Sequence, residues 1–264
     1  MRLENARILL TGAGGGLGHE LARQLSGHGA SVLLAGRDVG RLEALRDSLG
    51  TRVAMVAADL TRTEGVALTA RAARDFGVNV LINNAGASAF GLLETQPWPT
   101  VEQVLTTSLE APIHLTHALL PWLKAQPQAA IVNVGSAFGS VPFAGFAAYS
   151  AAKAGLRAFS QALRRELADT LVAVVHIAPR AIDTPMNSDV VVALNRALKS
   201  QSDSAASVAS EIVAALVRNE RELHIGFPER FFAWLNGFAP SLIDRGVAGK
   251  LPIVKLHAKS QHSV

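Results

Sequence analysis

Cysteine is absent from the 264 residues, so the chain can build neither a disulfide framework nor a thiolate metal site, which fits a reducing, cytoplasmic setting. Aromatic residues are scarce at 5%, and there is a single tyrosine, Tyr149. Long apolar runs are also missing. The longest stretch without Lys, Arg, Asp or Glu, from Ala125 to Ala152, is broken by Pro127, Asn133, Gly135, Pro142 and Gly145, which excludes a membrane-spanning helix there. The opening MRLENARILLTG carries Arg2, Glu4 and Arg7 ahead of only a short apolar run, and reads as a first strand rather than a leader. The eight histidines show no His-x-x-x-His spacing that would argue for zinc. Excess charge of one sign is small: a net +4 with basic residues scattered among acidic ones does not indicate nucleic-acid binding, although it suits a polyanionic small molecule.

What is abundant is apolar residue, 49% against 17% charged, enough for one large core. Short apolar runs at Arg7 to Leu10, Ser31 to Ala35, Arg52 to Ala57, Val78 to Ile82, Ala130 to Val134, Val172 to Ile177 and Leu223 to Ile225 predict seven strands. Helix-period segments alternate with them: Gly18 to Ser26, Arg41 to Leu49, Thr63 to Asp75, Val101 to Lys124, Ala148 to Leu167 and Val208 to Arg218. Strands apolar on both faces, alternating with helices, predict an α/β protein with a doubly wound, Rossmann-type parallel sheet of about seven strands and helices on both faces. Its ligand crevice is expected at the carboxyl ends of the strands.

Directly after the first strand comes TGAGGGLG, Thr11 to Gly18, leading into a helix. Its glycines allow a sharp turn, and the helix end that follows offers amide groups to a pyrophosphate. Tyr149 stands four residues before Lys153 and thirteen after Ser136. On a helix, positions i and i+4 share a face, so the ammonium lies one turn from the phenol. At ~4 Å and an effective dielectric of ~20 their attraction is about 4 kcal/mol, enough to draw the phenol from its ordinary pKa near 10 toward neutrality, where a general acid/base works best. A Tyr-x-x-x-Lys pair recurs on many surface helices, and it gains meaning from its companions.

Those companions are the TGxxxGxG turn, Asn83-Asn84-Ala85-Gly86, Ser136 and Tyr149-Ser150-Ala151-Ala152-Lys153, in that order. Together they resemble the short-chain dehydrogenase/reductase family over roughly residues 5 to 226. The resemblance implies a nicotinamide dinucleotide held by Thr11, Gly12, Gly14, Gly16, Leu17 and Gly18, with Asp59 accepting from the adenine amino group and Leu60 flanking it. Asn84, Ala85 and Gly86 would line the nucleotide, while Asn83 would tie strands together. Pro179 and Thr184, after the sixth strand, would contact the cofactor. In carbonyl reduction Tyr149 would donate the proton and Ser136 would hold the carbonyl oxygen. Lys153 would lower the phenol pKa and bind the nicotinamide ribose. Catalytically silent dinucleotide binding is the alternative, and a dehydratase or epimerase on the same scaffold a third reading.

The second strand ends in LLAGRD. Gly36 stands where the family's NAD-selecting acid would be and Arg37 follows it, while Asp38 fits a helix N-cap, so NADPH is expected in preference to NADH. Two positions depart from the family pattern. Ser108 replaces an asparagine of the proton relay, where its hydroxyl could still hold water. Arg180 replaces the glycine after Pro179, facing a phosphate, a substrate anion or, slightly favoured, solvent.

The apolar segment Ala137 to Ala148 and the expected lid from Ile182 to Leu198 suit an apolar carbonyl or alcohol substrate. Beyond a catalytic domain at 1–226, residues 227–264 form a C-terminal extension. Its apolar residues Phe231, Trp234, Leu235, Phe238 and Leu242 recur at helical intervals, and packing on the same domain or a partner subunit is favoured over peripheral membrane contact. By analogy with the family, helices around 101–124 and 148–167 would form the faces of a homodimer or homotetramer.

Overall fold

The computed structural model describes residues 1–260. Strand and helix alternate as β1 (Arg7–Thr11), α1 (Gly16–Gly27), β2 (Ser31–Gly36), α2 (Val39–Leu49), β3 (Val53–Ala57), α3 (Thr63–Phe76), β4 (Val80–Asn83), α4 (Trp98–Leu105), α5 (Ala111–Lys124), β5 (Ala129–Val134), α6 (Ala147–Glu166) and β6 (Val172–Ala178). There follow β7 (Ala181–Asp183), α7 (Asp189–Ala197), β8 (Ser202–Ser204), α8 (Ala205–Arg218), β9 (Glu222–His224), α9 (Phe227–Phe238), α10 (Pro240–Ala248) and α11 (Leu251–Ser260). Seven strands make one sheet in the order β3-β2-β1-β4-β5-β6-β9, and every pairing is parallel. This is the doubly wound architecture expected, with each of the seven predicted strands present.

The reason lies in the two-residue period of a strand. Along β1, Ile8 and Leu10 enter one core with Val32, Leu34, Val80 and Ile82, beneath α1 and α8. Leu9 points the other way, to a second core with Leu33, Leu81, Ile131 and the α5 residues Leu115 and Leu119. A strand buried on both faces must be apolar at every position, and truncating one such leucine to alanine costs about 2–5 kcal/mol. The order reverses at β1, which lies between β2 and β4. Helices leave the sheet on opposite faces there, and a crevice opens past the carboxyl ends of the strands.

Several features were not foreseen. The helix expected over 101–124 begins at Trp98 and is interrupted by one π turn, Thr106–Glu110. Pro112 has no N–H to offer the Ser108 carbonyl four residues earlier, so the ordinary α-helical bond cannot form at that point. Between β6 and α8 the chain makes a two-stranded ribbon, β7 with β8, around α7. Past β9, the helices α9, α10 and α11 account for the extension. Its apolar stripe does not pack on the body of the same chain: Phe231, Trp234, Phe238 and Leu242 are exposed, and the inward face of α9 presents Ala233.

Candidate active site

At the end of β1 the backbone turns at Gly12, whose φ of +67° and approach to Ala85 leave no room for a side chain: a Cβ there would lie 2.8 Å from the Ala85 Cα. A Cβ on Gly18 would overlap the Gly12 carbonyl oxygen. No side chain caps α1 at Gly15, so the first-turn amides over Gly16, Leu17 and Gly18 stay available to an anion, while Leu17 anchors the turn in the core. Gly14 borders Arg41, with 3.5 Å from its would-be Cβ to the Arg41 Cβ, and Gly16 borders Thr184 at 3.0 Å. The turn thus fits a diphosphate group: amides without partners, an uncovered glycine backbone, and Thr184 at its edge.

The Asn84–Gly86 segment is fastened to this turn. Asn84 Nδ2 donates to the carbonyl oxygens of Thr11 and Gly12, and the Thr11 hydroxyl accepts from the amides of Asn84 and Ala85. Asn83 does something different. Its Nδ2 reaches Thr116 of α5 and Asn133 of β5, and Asn133 in turn donates to Ser160 of α6, a buried chain that ties two strands to two helices.

On the adenine side of the expected nucleotide site, the Asp59 Oδ1 accepts from both the amide and the hydroxyl of Thr61. Partial burial pushes its carboxyl up, but the Thr61 hydrogen bonds and the charges of Arg37 and Arg62 prevail and hold it below the ordinary carboxylate value. Leu60 is half-buried against the core beneath α3 and α5. Arg37 is exposed at the end of β2. Asp38 caps α2, accepting from the Arg41 amide at 3.0 Å, and its other oxygen lies 3.3 Å from the Arg41 Nε. Arg41, next to Gly14, is a basic residue beside the glycine turn that the motif left unmarked; its place three residues after the expected N-cap Asp38 was the available signal.

Ser136 begins the loop after β5, with its hydroxyl accepting from the Phe138 amide and near enough to the Tyr149 phenol to draw its pKa down. Tyr149 sits in the first turn of α6 with its ring edge-on to Phe138 and Phe146. One turn later Lys153 is buried, and its Nζ donates to the Val134 carbonyl at 2.8 Å. Serine, tyrosine and lysine converge as expected. The phenol pKa does not fall as expected. Desolvation pushes Tyr149 above 10, with the Ser136 hydroxyl pulling the other way, while burial lowers Lys153 to about 8. The Lys153 ammonium is 5.8 Å from the ring centroid and directed at a main-chain oxygen, so it does not offset the desolvation of the phenol.

Ser108 lies in the π turn, fully buried, and exchanges hydrogen bonds with Ala87: its hydroxyl accepts from the Ala87 amide and donates to the Ala87 carbonyl. Gly86 separates it from Lys153, for a Cβ there would be 3.5 Å from the lysine Nζ and 3.6 Å from the serine Oγ. Arg180 faces neither a phosphate nor solvent. Its Nε and Nη2 bind the two oxygens of Asp203 at 2.8 and 2.7 Å, and Glu229 of α9 lies 3.8 Å away. Partnered in this way, the guanidinium fixes the β7–β8 ribbon to the end of β6. Pro179, buried beside it, accepts from the Ala137 amide behind Ser136.

Above Tyr149, Phe90, Phe146, Leu194, Val254 and Ala258 form an apolar cluster joined by Phe138, Phe143 and Ile253. α11 packs on α7 here, so the extension roofs the ground beside the phenol. A cavity of about 400 Å³ opens alongside, lined by Phe90, Gln96, Met186 and Val191 among others. His176 on β6 was not singled out from sequence. It is fully buried, and Gly135, next to Ser136, is the residue that leaves space for its ring.

Residues 6–194 match the short chain dehydrogenase family. Dehydrogenase/reductase SDR family member 7B of Bos taurus is 32% identical over 280 residues, covering 99% of this chain and 85% of the relative. The 3-oxoacyl-[acyl-carrier-protein] reductase of Vibrio cholerae is 34% identical over 188 residues, covering 70% and 77%. A short chain dehydrogenase of Burkholderia cenocepacia, solved in complex with NADP, superposes with a TM-score of 0.81 at 27% identity, covering 94% of this chain and 99% of that one.

Proposed function

Since the chain belongs to the short-chain dehydrogenase/reductase family of oxidoreductases, we propose that it interconverts an apolar carbonyl compound and its alcohol with a nicotinamide dinucleotide, preferring NADPH. The observation that carries this reading is the placing of Tyr149 one helical turn before the buried Lys153, whose Nζ is fastened to the strand end that leads to Ser136, beside an apolar cluster.

The dinucleotide, when bound, supplies or accepts the hydride. Everything else falls to the chain. The amides of the Gly12–Gly18 turn bind the diphosphate, Thr184 closes over them, and Asn84 to Gly86 hold the adjoining wall. The Asp59 Oδ2, left over by Thr61, receives the adenine amino group. Arg37 and Arg41 flank the adenosine ribose and take a 2′-phosphate, and Asp38, engaged as a helix cap by Arg41, is withheld from the ribose diol. In reduction, the Tyr149 Oη gives its proton to the substrate oxygen while the Ser136 Oγ donates a hydrogen bond to it. A phenol kept protonated by burial is the correct form for a donor. Lys153, brought to about 8, holds the nicotinamide ribose and can return a proton near neutral pH. Ser108 positions Ala87 and thereby the wall carrying Gly86 beside Lys153.

The test is NADPH oxidation over a panel of ketones of increasing apolar bulk, with Tyr149→Phe as control. The variant is expected to bind NADPH as the parent does and to lose ~10²–10⁴-fold in turnover, the range of general acid catalysis. Equal turnover by the two proteins would refute the tyrosine mechanism.

A further inference from the structure

Arg180 follows Pro179, where the family pattern has glycine, and all three of its guanidinium nitrogens are engaged within the chain. Nε and Nη2 grip the two oxygens of Asp203 at 2.8 and 2.7 Å, Nη1 donates to the Gln201 Oε1, and the Glu229 carboxylate lies 3.8 Å from Nη1. Asp203 is on β8 and Glu229 is in the first turn of α9. One side chain therefore joins the end of β6 to the ribbon and to the extension. Gly226, at φ +102°, leaves the space that this needs: a Cβ there would lie 3.1 Å from the Arg180 Cδ and press on the Glu229 carboxylate. A two-point grip of a planar guanidinium on a carboxylate fixes direction as well as distance, and both partners are largely enclosed, so solvent screens the pair little.

What the clamp fixes reaches the glycine turn. Asp203 is the register partner of Ile182, so holding Asp203 holds β8 against β7. Thr184 follows β7 directly. The Asn187 side chain donates to the Ile182 carbonyl and the Asn187 amide to the Thr184 carbonyl, which closes the turn around Thr184. Thr184 is thereby set against Gly16, with its Cγ2 3.0 Å from where a Cβ on that glycine would stand. A segment that has to order when a ligand arrives subtracts that entropy from the affinity, and a segment already held does not. Glycine at position 180 has no side chain with which to hold Asp203.

We infer that Arg180 is a positioning residue for the dinucleotide: through Asp203 it holds Thr184 over the Gly12–Gly18 turn before the cofactor arrives. The inference rests on the assignment of that turn and of Thr184 to the dinucleotide diphosphate. Arg180 acts on the cofactor through Thr184 and not by touching a phosphate, since its nitrogens are already partnered.

The test is the dissociation constant of NADPH, read from its fluorescence on titration with the full chain, for the parent, Arg180→Gly, Arg180→Lys and Asp203→Asn. Thermal scans of the same proteins keep every titration below the unfolding transition. Arg180→Gly and Asp203→Asn are each expected to raise Kd at least about threefold, as loss of preorganisation does. Arg180→Lys should fall between them and the parent, because an ammonium meets one carboxylate oxygen where a guanidinium meets two, and with Asp203→Asn it carries the test should the glycine variant not fold. With Thr184→Ala already in place, Arg180→Gly should add less than about twofold, because the group it positions is gone. The titration uses no substrate, so its outcome is separate from that of the ketone assay. A Kd unchanged by Asp203→Asn and by either Arg180 variant overturns the proposal and leaves Arg180 a stabilising contact alone. Full additivity of Arg180→Gly and Thr184→Ala overturns the route through Thr184. Tighter binding by Asp203→Asn also overturns it, for it would show the released guanidinium taking a phosphate. A parent that binds neither NADPH nor NADH overturns it together with the cofactor assignment.

Discussion

The Nζ of Lys153 donates to the main-chain oxygen of Val134 across 2.8 Å, fastening the first turns of α6 to the strand end that carries Ser136. That ammonium is fully enclosed, and burial brings its pKa to about 8 from the ordinary 10.5. Between those values the unfolded chain holds a proton that the folded chain has released. Stability therefore rises with pH from about 8 to 10.5, and the cost of the buried charge is complete below 8. Lys153→Met keeps the stem and removes the titration. The thermal midpoint of the variant relative to the parent should stand highest below pH 8 and decline toward pH 10. An offset that stays constant over this range would mean that Lys153 does not change protonation there.

The basic pair at the end of β2 predicts the choice of dinucleotide. Arg37 is exposed and Arg41 lies against Gly14, while Asp38 caps α2. Removing both arginines deletes charge-assisted bonds worth about 1.5–3 kcal/mol each to a phosphate and nothing that a ribose diol requires. Arg37→Ala with Arg41→Ala should raise the KM for NADPH at least about tenfold and leave that for NADH within about threefold. Equal losses with both cofactors would place the arginines elsewhere than at a 2′-phosphate.

The seven strands were legible because the doubly buried strand writes its environment into every position, as Leu9 and Leu10 do on opposite faces of β1. The Ser136, Tyr149 and Lys153 meeting was legible because the helical i,i+4 relation fixes half of it. What period cannot say is which way a face points: the apolar stripe of α9 was expected to pack on the same domain or on a partner subunit, and within this chain Ala233 and not Trp234 is buried. Nor does local sequence name distant partners. Arg180 reads as an intrusion at a glycine position until Asp203, 23 residues on, is brought to it. The pairing of Ser108 with Ala87 and the enclosure that raises the Tyr149 phenol pKa likewise belong to tertiary structure.

Arg180 and Asp203 are each only 17% exposed and joined by two bonds, so the pair should behave as a unit. Arg180→Gly, which restores the family's usual residue, should destabilise by about 1–3 kcal/mol rather than relieve strain, because it leaves a half-buried carboxylate without its partner. Combining Arg180→Ala with Asp203→Ala should cost about 1–3 kcal/mol less than the two single changes added. Chemical denaturation of the four proteins measures this, and simple additivity would show the pair to be an idle contact.

His176 carries the last prediction. Its ring is fully buried between β5, β6 and α6, and neither nitrogen has a hydrogen-bond partner among the described residues. Burial pulls its pKa to about 3, with Glu222 opposing and the cations of Arg157, His224 and Lys153 adding to the fall. The folded chain thus refuses a proton that the unfolded chain accepts near 6.5. Stability is full above 6.5 and drains away as pH descends toward 3. His176→Leu removes that proton linkage and a polar ring buried without partners, and Leu is small enough to respect the space left by Gly135. Its urea midpoint relative to the parent should therefore improve on going from pH 7.5 to pH 4.5. A relative midpoint unchanged between the two pH values would show that the folded protein protonates this histidine as readily as the unfolded chain does.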